Sequence, residues 1–141
     1  VLGTYIKRKS NLIFIGREKK VIDIDELKLC LNETSSNLCL CGIDAKMIVD
    51  IKKEYPIGII HKIYDYLEDI LEISFSSLKS ILFCVYEEKG VIQVNATVDA
   101  NSNFKKLKKI YPSVEIEKDE DELWYLTLKI KEGDYHEPES I

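Results

Sequence analysis

One long amphipathic helix is the feature that most restricts how this chain can fold. Over residues 59–74 the sequence IIHKIYDYLEDILEIS repeats apolar side chains at steps of three and four residues. The resulting apolar face is broad and consists of Ile60, Ile63, Tyr64, Leu67, Ile70 and Leu71. A face of this width must be buried, so the rest of the chain must supply a sheet or another helix for it to pack against.

The segment after this helix predicts that sheet. Two runs rich in β-branched and aromatic residues, 80–86 and 91–98, are joined by a short turn that contains Gly90. This pattern is typical of an antiparallel hairpin. A second hairpin is predicted from SVEIEKD and LWYLTLKI near the end of the chain.

The remaining elements complete an α+β order. A leucine-rich helix over 25–41 ends at Gly42, and a strand over 43–51 follows it. A short amphipathic helix, FKKLKKIY (104–111), lies between the two hairpins. The order helix, strand, helix, hairpin, short helix, hairpin predicts a two-layer sandwich with helices on one face of a mixed, mostly antiparallel sheet.

Size and charge narrow the classes of function. The 141 residues fit one domain, and no apolar run approaches the ~18 residues that a membrane span needs. The net charge of −5 disfavours nucleic-acid binding as the main activity. The spacing of the four cysteines is not that of a zinc site, so we expect reduced thiols and a cytoplasmic location.

Four ionisable side chains form a row along one side of the long helix, and we call this row the polar lane. His61, Asp65, Glu68 and Glu72 are spaced to share one face. The lane is either the solvated side of a packed helix or the wall of an active site. Carboxylates forced close together at a site would raise one pKa, whereas a solvated lane would not.

Three stretches resemble a known family. The family is the C-terminal ATP-binding domain of clostridial-type sensor histidine kinases. Its first helix and strand look like DELKLCLNETSSNLCLCGIDAKM. Its N-box helix and central hairpin look like IIHKIYDYLEDILEI followed by SILFCVYEEKGVIQVNATVDA. This fold is shared with gyrase and Hsp90-type ATPases. GTYIKRKSNL is similar to the exit from a kinase dimerisation helix. The resemblance implies that 1–22 is the end of a linker or dimerisation helix from a longer chain, 23–131 the ATPase-like domain and 132–141 a tail.

The resemblance also implies site residues. It assigns Glu68 to the acidic N-box position that activates water or positions the phosphoryl group, and Glu72 to the Mg²⁺-binding position, where the family has Asn. A register that uses Asp65 and Asp69 fits the apolar stripe equally well. Asp99 of DANSN would contact adenine, and Asn101 stands at a cofactor-binding position where the family has glycine.

The same comparison predicts a degenerate nucleotide site. Asn101 and Asn103 replace glycines that let the backbone approach a nucleotide. The chain passes from Asn103 directly to the short helix, and its six glycines are all isolated, so no glycine-rich phosphate cradle exists. Phosphate would be left to the lysines of KKLKK, which otherwise only solubilise that helix: Lys105, Lys106, Lys108 and Lys109. We therefore expect ATP and Mg²⁺ to bind weakly or not at all.

Three hypotheses for function follow. The first is a degenerate ATP-binding-type domain of a two-component sensor histidine kinase, regulatory or scaffolding. Its implied partners are the dimerisation domain and a response regulator, with a homodimer formed through upstream helices and a parent protein that is cytoplasmic or membrane-anchored. The second is an active catalytic domain that binds ATP-Mg²⁺ through Glu68, Glu72 and Asp99. The third is an unrelated α+β protein-interaction module.

Overall fold

The computed structural model describes residues 21–22, 24–51 and 55–131. Within these ranges the elements in chain order are β1 (Val21–Ile22), α1 (Ile24–Leu40), β2 (Asp44–Asp50), β3 (Tyr55–Pro56), α2 (Ile57–Ser74), β4 (Ser80–Glu88), β5 (Val91–Asp99), α3 (Leu107–Ile110), β6 (Glu115–Lys118) and β7 (Trp124–Lys131). The predictions for the opening segment and the tail lie outside the described residues.

A five-stranded sheet forms one layer of the molecule. Its strand order is β2-β4-β5-β7-β6, with β2 parallel to β4 and the other neighbours antiparallel. The helices pack on one face of this sheet, which confirms the predicted α+β two-layer architecture. Strands β1 and β3 pair separately as a two-residue antiparallel ribbon that the sequence did not predict.

Helix α2 is buried against the central hairpin, as its apolar face predicts. Tyr66 and Phe83 are fully buried, and their ring centroids lie 6.3 Å apart between the helix and β4. Strand alternation directs every second residue of β4 and β5 to this inner face, where the side chains are buried. Because fully burying one large apolar side chain contributes about 1.5–3 kcal/mol, this interface is a main source of stability.

Two turns explain where the long elements end. Gly42 ends the turn after α1 with φ of 81°. Gly90 (φ 79°) and Lys89 (φ 52°) form the turn between β4 and β5, in the left-handed conformations that a tight hairpin turn requires. The hairpin prediction is therefore confirmed together with its turn.

The segment between the hairpins is less helical than predicted. A 3₁₀ turn (Phe104–Lys106) precedes α3, which is only four residues long. Tyr111, the last residue of the predicted helix, has φ −123° and ψ 86° and lies outside it. Pro112 follows, and the residue before proline avoids the helical region, so the helix cannot extend further. Pro56 ends β3 and occupies the N-cap of α2.

The turn between β6 and β7 is organised by one carboxylate. Asp119 Oδ1 accepts hydrogen bonds from the backbone N–H groups of Asp121 (2.9 Å) and Leu123 (3.0 Å). Tyr125 Oη donates to Asp119 Oδ2 at 2.7 Å. The Tyr125 bond and the backbone bonds hold the pKa of Asp119 below its ordinary value. This charged turn therefore has a structural role in the hairpin.

Candidate functional site

The polar lane on α2 is only partly solvated. Glu72 is exposed, whereas His61, Asp65 and Glu68 are half-buried. His61 Nε2, Asp65 Oδ1 and Glu68 Oε2 each have almost no contact with solvent. The four side chains follow one side of α2 as predicted, but the first three are shielded to a degree that an ordinary solvated lane is not.

Asp69, one of the residues of the alternative register, is bonded to another part of the chain. Tyr111 Oη donates a hydrogen bond of 2.6 Å to Asp69 Oδ2. The Tyr111 ring meets the Tyr66 ring edge to face, with centroids 5.3 Å apart. Burial raises the pKa of Tyr111, and the bond to Asp69 raises it further. The segment after α3 therefore closes onto α2 through an aromatic and charge-assisted contact.

Tyr66 lies at the centre of this contact. Its side chain is fully buried between Tyr111 and Phe83. Burial raises its pKa, and its hydroxyl has no hydrogen-bond partner within the described ranges. We call Tyr66, Asp69 and Tyr111 the aromatic closure. The sequence predicted Tyr111 as the last residue of a short helix and gave no indication of its bond to Asp69.

Asp99 lies on a different face from the α2 lane. Val98 is buried on the inner, helix-covered face of β5, so alternation directs the Asp99 side chain to the outer face. The next inner position belongs to Ala100, which is buried and has no polar group. The structure therefore does not bring Asp99 together with Glu68 or Glu72.

The turn after Asp99 is fixed by local hydrogen bonds. The Lys105 backbone N–H donates to Asn103 Oδ1 (3.1 Å), and the hydroxyls of Ser102 and Ser77 are 2.9 Å apart. Asn103 has φ −101°. In the described part of the chain positive φ values occur at Gly42, Lys89, Gly90 and Glu122, not at Asn101 or Asn103. The backbone here thus does not use the conformations for which glycine is needed.

These observations test whether ATP and Mg²⁺ fit the predicted site. Asp69 is engaged by Tyr111, Asp99 faces away from α2, and the sequence has no glycine-rich cradle. Among the residues that the structure describes, no three His, Cys, Asp or Glu side chains are grouped to hold a metal ion. The described residues therefore present no preassembled set of ligands for ATP and Mg²⁺. The roles of Glu68 in catalysis and of Glu72, Asp99 and Asn101 in cofactor binding stay predictions.

No helix in the described ranges has the length and apolar character required to cross a bilayer.

Comparison with solved structures relates this geometry to known proteins. The catalytic domain of histidine kinase ThkA matches with a TM-score of 0.55 at 11% identity, over 79% of this chain and 94% of that one. Histidine kinase AdeS of Acinetobacter baumannii matches with a TM-score of 0.57 at 8% identity, over 94% of this chain and 78% of that one. The ATP-binding domain of PrrB from Mycobacterium tuberculosis matches with a TM-score of 0.50 at 7% identity, over 79% of this chain and 95% of that one.

The chain therefore has the fold of histidine kinase ATP-binding domains. At these identities the likeness shows the fold alone. No protein-family model and no curated protein matches the sequence.

Proposed function

We propose that this chain is the C-terminal ATPase-like domain of a clostridial-type sensor histidine kinase, with a degenerate nucleotide site and a regulatory or scaffolding role. Residues 23–131 would form that domain, preceded by the end of a linker or dimerisation helix and followed by a tail. The domain would lie in the cytoplasm and would bind a dimerisation domain and a response regulator. Its own contribution would be a docking surface, with little or no transfer of phosphoryl groups.

The observation that supports degeneracy best is the aromatic closure. In a nucleotide-binding version of this fold, the resemblance places the cofactor against the N-box helix, which corresponds to α2. Here Tyr111 lies against α2 and its hydroxyl donates to Asp69 at 2.6 Å. Opening this contact would expose the fully buried Tyr66 ring and break a hydrogen bond to a charged group, which contributes about 1.5–3 kcal/mol. A nucleotide would have to offset that cost without a phosphate cradle.

The second support is the separation of the predicted ligands. Glu72 is exposed on α2, and Asp99 lies on the outer face of the sheet. A cofactor held by both would have to reach around the end of β5. Preorganised ligands are what make binding tight, and this arrangement lacks them.

Calorimetric titration with ATP in the presence of Mg²⁺ tests the proposal. We expect no Mg²⁺-dependent binding up to millimolar nucleotide. Micromolar, Mg²⁺-dependent binding that Glu68→Gln or Glu72→Gln abolishes would contradict the proposal and favour an active catalytic domain. Glu117→Gln is the matched control, because it removes one exposed carboxylate from the edge strand β6, outside the predicted site.

A further inference from the structure

The helix layer does not cover the whole inner face of the sheet. Strand β6 is the edge strand, and its residues Ile116 and Lys118 pair with Leu126 and Trp124 of β7, whose side chains are buried on the inner face. Ile116 is half-buried and Lys118 is exposed, although both lie on this same face. The short helix α3 is too small to cover them. An open cleft of about 820 Å³ remains between β6 and the segment 101–108.

This cleft is cationic in a chain that is acidic on balance. Lys105 and Lys108 line one wall, and Lys118 lies on the floor. Among the described residues, none of the three forms an ion pair with a carboxylate. By contrast, Lys129 on the neighbouring strand pairs with Glu115 at 3.8 Å. Three lysines that have no ion pair with a described carboxylate thus line one concavity, while the whole chain has a net charge of −5.

The rest of the lining adds hydrogen-bond donors and an aromatic floor. Asn101 and Asn103 line the cleft, and Asn103 uses its Oδ1 to cap the 3₁₀ turn, which leaves its amide N–H groups as donors. Trp124 is packed in place by Phe104, with ring centroids 5.3 Å apart, and Lys118 Nζ lies 5.2 Å from the indole centroid. Trp124 therefore packs on Phe104, and the ammonium group of Lys118 lies over its indole ring.

We propose that this cleft, formed by Lys105, Lys108 and Lys118 around Trp124, binds a phosphate-bearing ligand. Lysine ammonium groups act as point charges for phosphate oxygens, and amide N–H groups supply directed bonds. The volume falls within the ~300–1,000 Å³ typical of small-molecule sites. The site lies over β6, away from the α2 lane. It includes Lys105 and Lys108, the lysines to which the family resemblance would leave the phosphates of a nucleotide, so its test is run without Mg²⁺ to separate it from the test of the proposed function.

Trp124 provides a built-in probe, because it is the only tryptophan in the chain and it lines the cleft. Inorganic pyrophosphate is titrated into the full chain at low ionic strength with EDTA present, and indole fluorescence is recorded. Sodium chloride at matched ionic strength controls for screening. We expect a saturable fluorescence change with pyrophosphate and none with chloride.

Charge-removing variants then test the residues. We expect each of three variants to weaken pyrophosphate binding by about fivefold: Lys105→Gln, Lys108→Gln and Lys118→Gln. This is the change in affinity that corresponds to losing one pair of charges about 4 Å apart in bulk water. Lys129→Gln is the matched control, because it removes a lysine from β7 outside the cleft, and binding should not change. Calorimetry gives the affinity of Lys118→Gln independently of the altered indole environment.

A second experiment distinguishes two sources of the phosphate. Sedimentation with vesicles of phosphatidylcholine containing an anionic phospholipid tests a lipid headgroup, with pyrophosphate as the competitor. Binding of free pyrophosphate alone assigns the site to a soluble phosphorylated compound, and competed vesicle binding assigns it to a headgroup. The proposal is overturned if neither probe binds, or if the three cleft variants lose no more affinity than Lys129→Gln.

Discussion

The segment between the two hairpins, residues 100–114, packs against the chain on one side and borders an open cleft on the other. Toward α2, Tyr111 packs on the buried Tyr66 ring and donates to Asp69, so the space is occupied by the chain itself. Toward β6, Lys105 and Lys118 border an open cleft of about 820 Å³. One short segment therefore packs against α2 on one side and leaves a lysine-lined cleft open on the other.

The difference follows from the length of helix α3. A four-residue helix followed by Pro112 cannot extend over β6, and it delivers Tyr111 back to α2 at once. The contact of Tyr111 with α2 and the open cleft beside β6 thus both result from the same short stretch of sequence.

The largest expected effect concerns the packing under the cleft. Phe104→Ala removes a fully buried ring that packs on Trp124, and we expect the free energy of unfolding to fall by about 3–5 kcal/mol. Ile116→Ala, at the half-buried floor, should cost about 1 kcal/mol, since deleting methylenes from a half-exposed site loses only part of the transfer energy. Urea denaturation measures both. Equal losses of stability in the two variants would show that the Phe104 ring is not packed beneath the cleft.

The aromatic closure gives a matched pair of hydroxyl deletions. Tyr111→Phe removes the bond to Asp69, and we expect a loss of about 1.5 kcal/mol, at the low end for charged partners because the half-buried carboxylate can regain water. Tyr66→Phe removes a buried hydroxyl with no partner in the described ranges, so stability should stay unchanged or rise. Thermal and urea unfolding compare the two variants. A larger loss for Tyr66→Phe would contradict the described geometry.

The pH dependence of stability sharpens the same comparison. The pKa values of Tyr66 and Tyr111 are raised above their ordinary value of 10.0, mainly by burial. The folded chain therefore keeps these protons while the unfolded chain releases them, so their contribution is complete below pH 10 and is lost as pH rises further. The chain has eight tyrosines, so we expect one part of the tyrosinate absorbance to appear only together with alkaline unfolding.

A double variant tests that assignment. Tyr66→Phe combined with Tyr111→Phe should flatten the alkaline decline in stability relative to the unmodified chain. An unchanged slope would mean that other groups cause the decline.

The smallest expected effect lies at the cleft floor. Lys118→Gln removes an exposed cation over Trp124 and should lower stability by about 0.5 kcal/mol. Lys129→Gln breaks an exposed ion pair with Glu115 and should cost no more than about 0.5 kcal/mol. Urea denaturation of both variants measures how much each lysine contributes to the free energy of unfolding. A loss several times larger for Lys118→Gln would favour a structural role over ligand binding.

The sequence predicts the main architecture because long periodic patterns determine it. The apolar stripe of α2 and the alternation of the central hairpin are strong signals, and both elements were confirmed. The β1–β3 ribbon was missed because two residues per strand are too few for any periodicity to appear. The length of α3 was overestimated because its amphipathic pattern continues to Tyr111, whereas Pro112 ends the helix earlier.

The candidate site is less predictable because it depends on contacts between distant residues. Asp69 and Tyr111 are 42 residues apart, and no local pattern pairs them. The face occupied by Asp99 could have been predicted, because counting alternate residues from Val98 already assigns Asp99 to the outer face. The cleft lysines were visible as a cluster, but their shared concavity requires Lys118 from another strand.

A crystal soaked with a non-hydrolysable ATP analogue and Mg²⁺ tests the central claim most directly. We expect no nucleotide against α2 and an intact hydrogen bond between Tyr111 and Asp69. An adenine base ordered against α2, with Tyr111 displaced and Mg²⁺ held by Glu72, would contradict it.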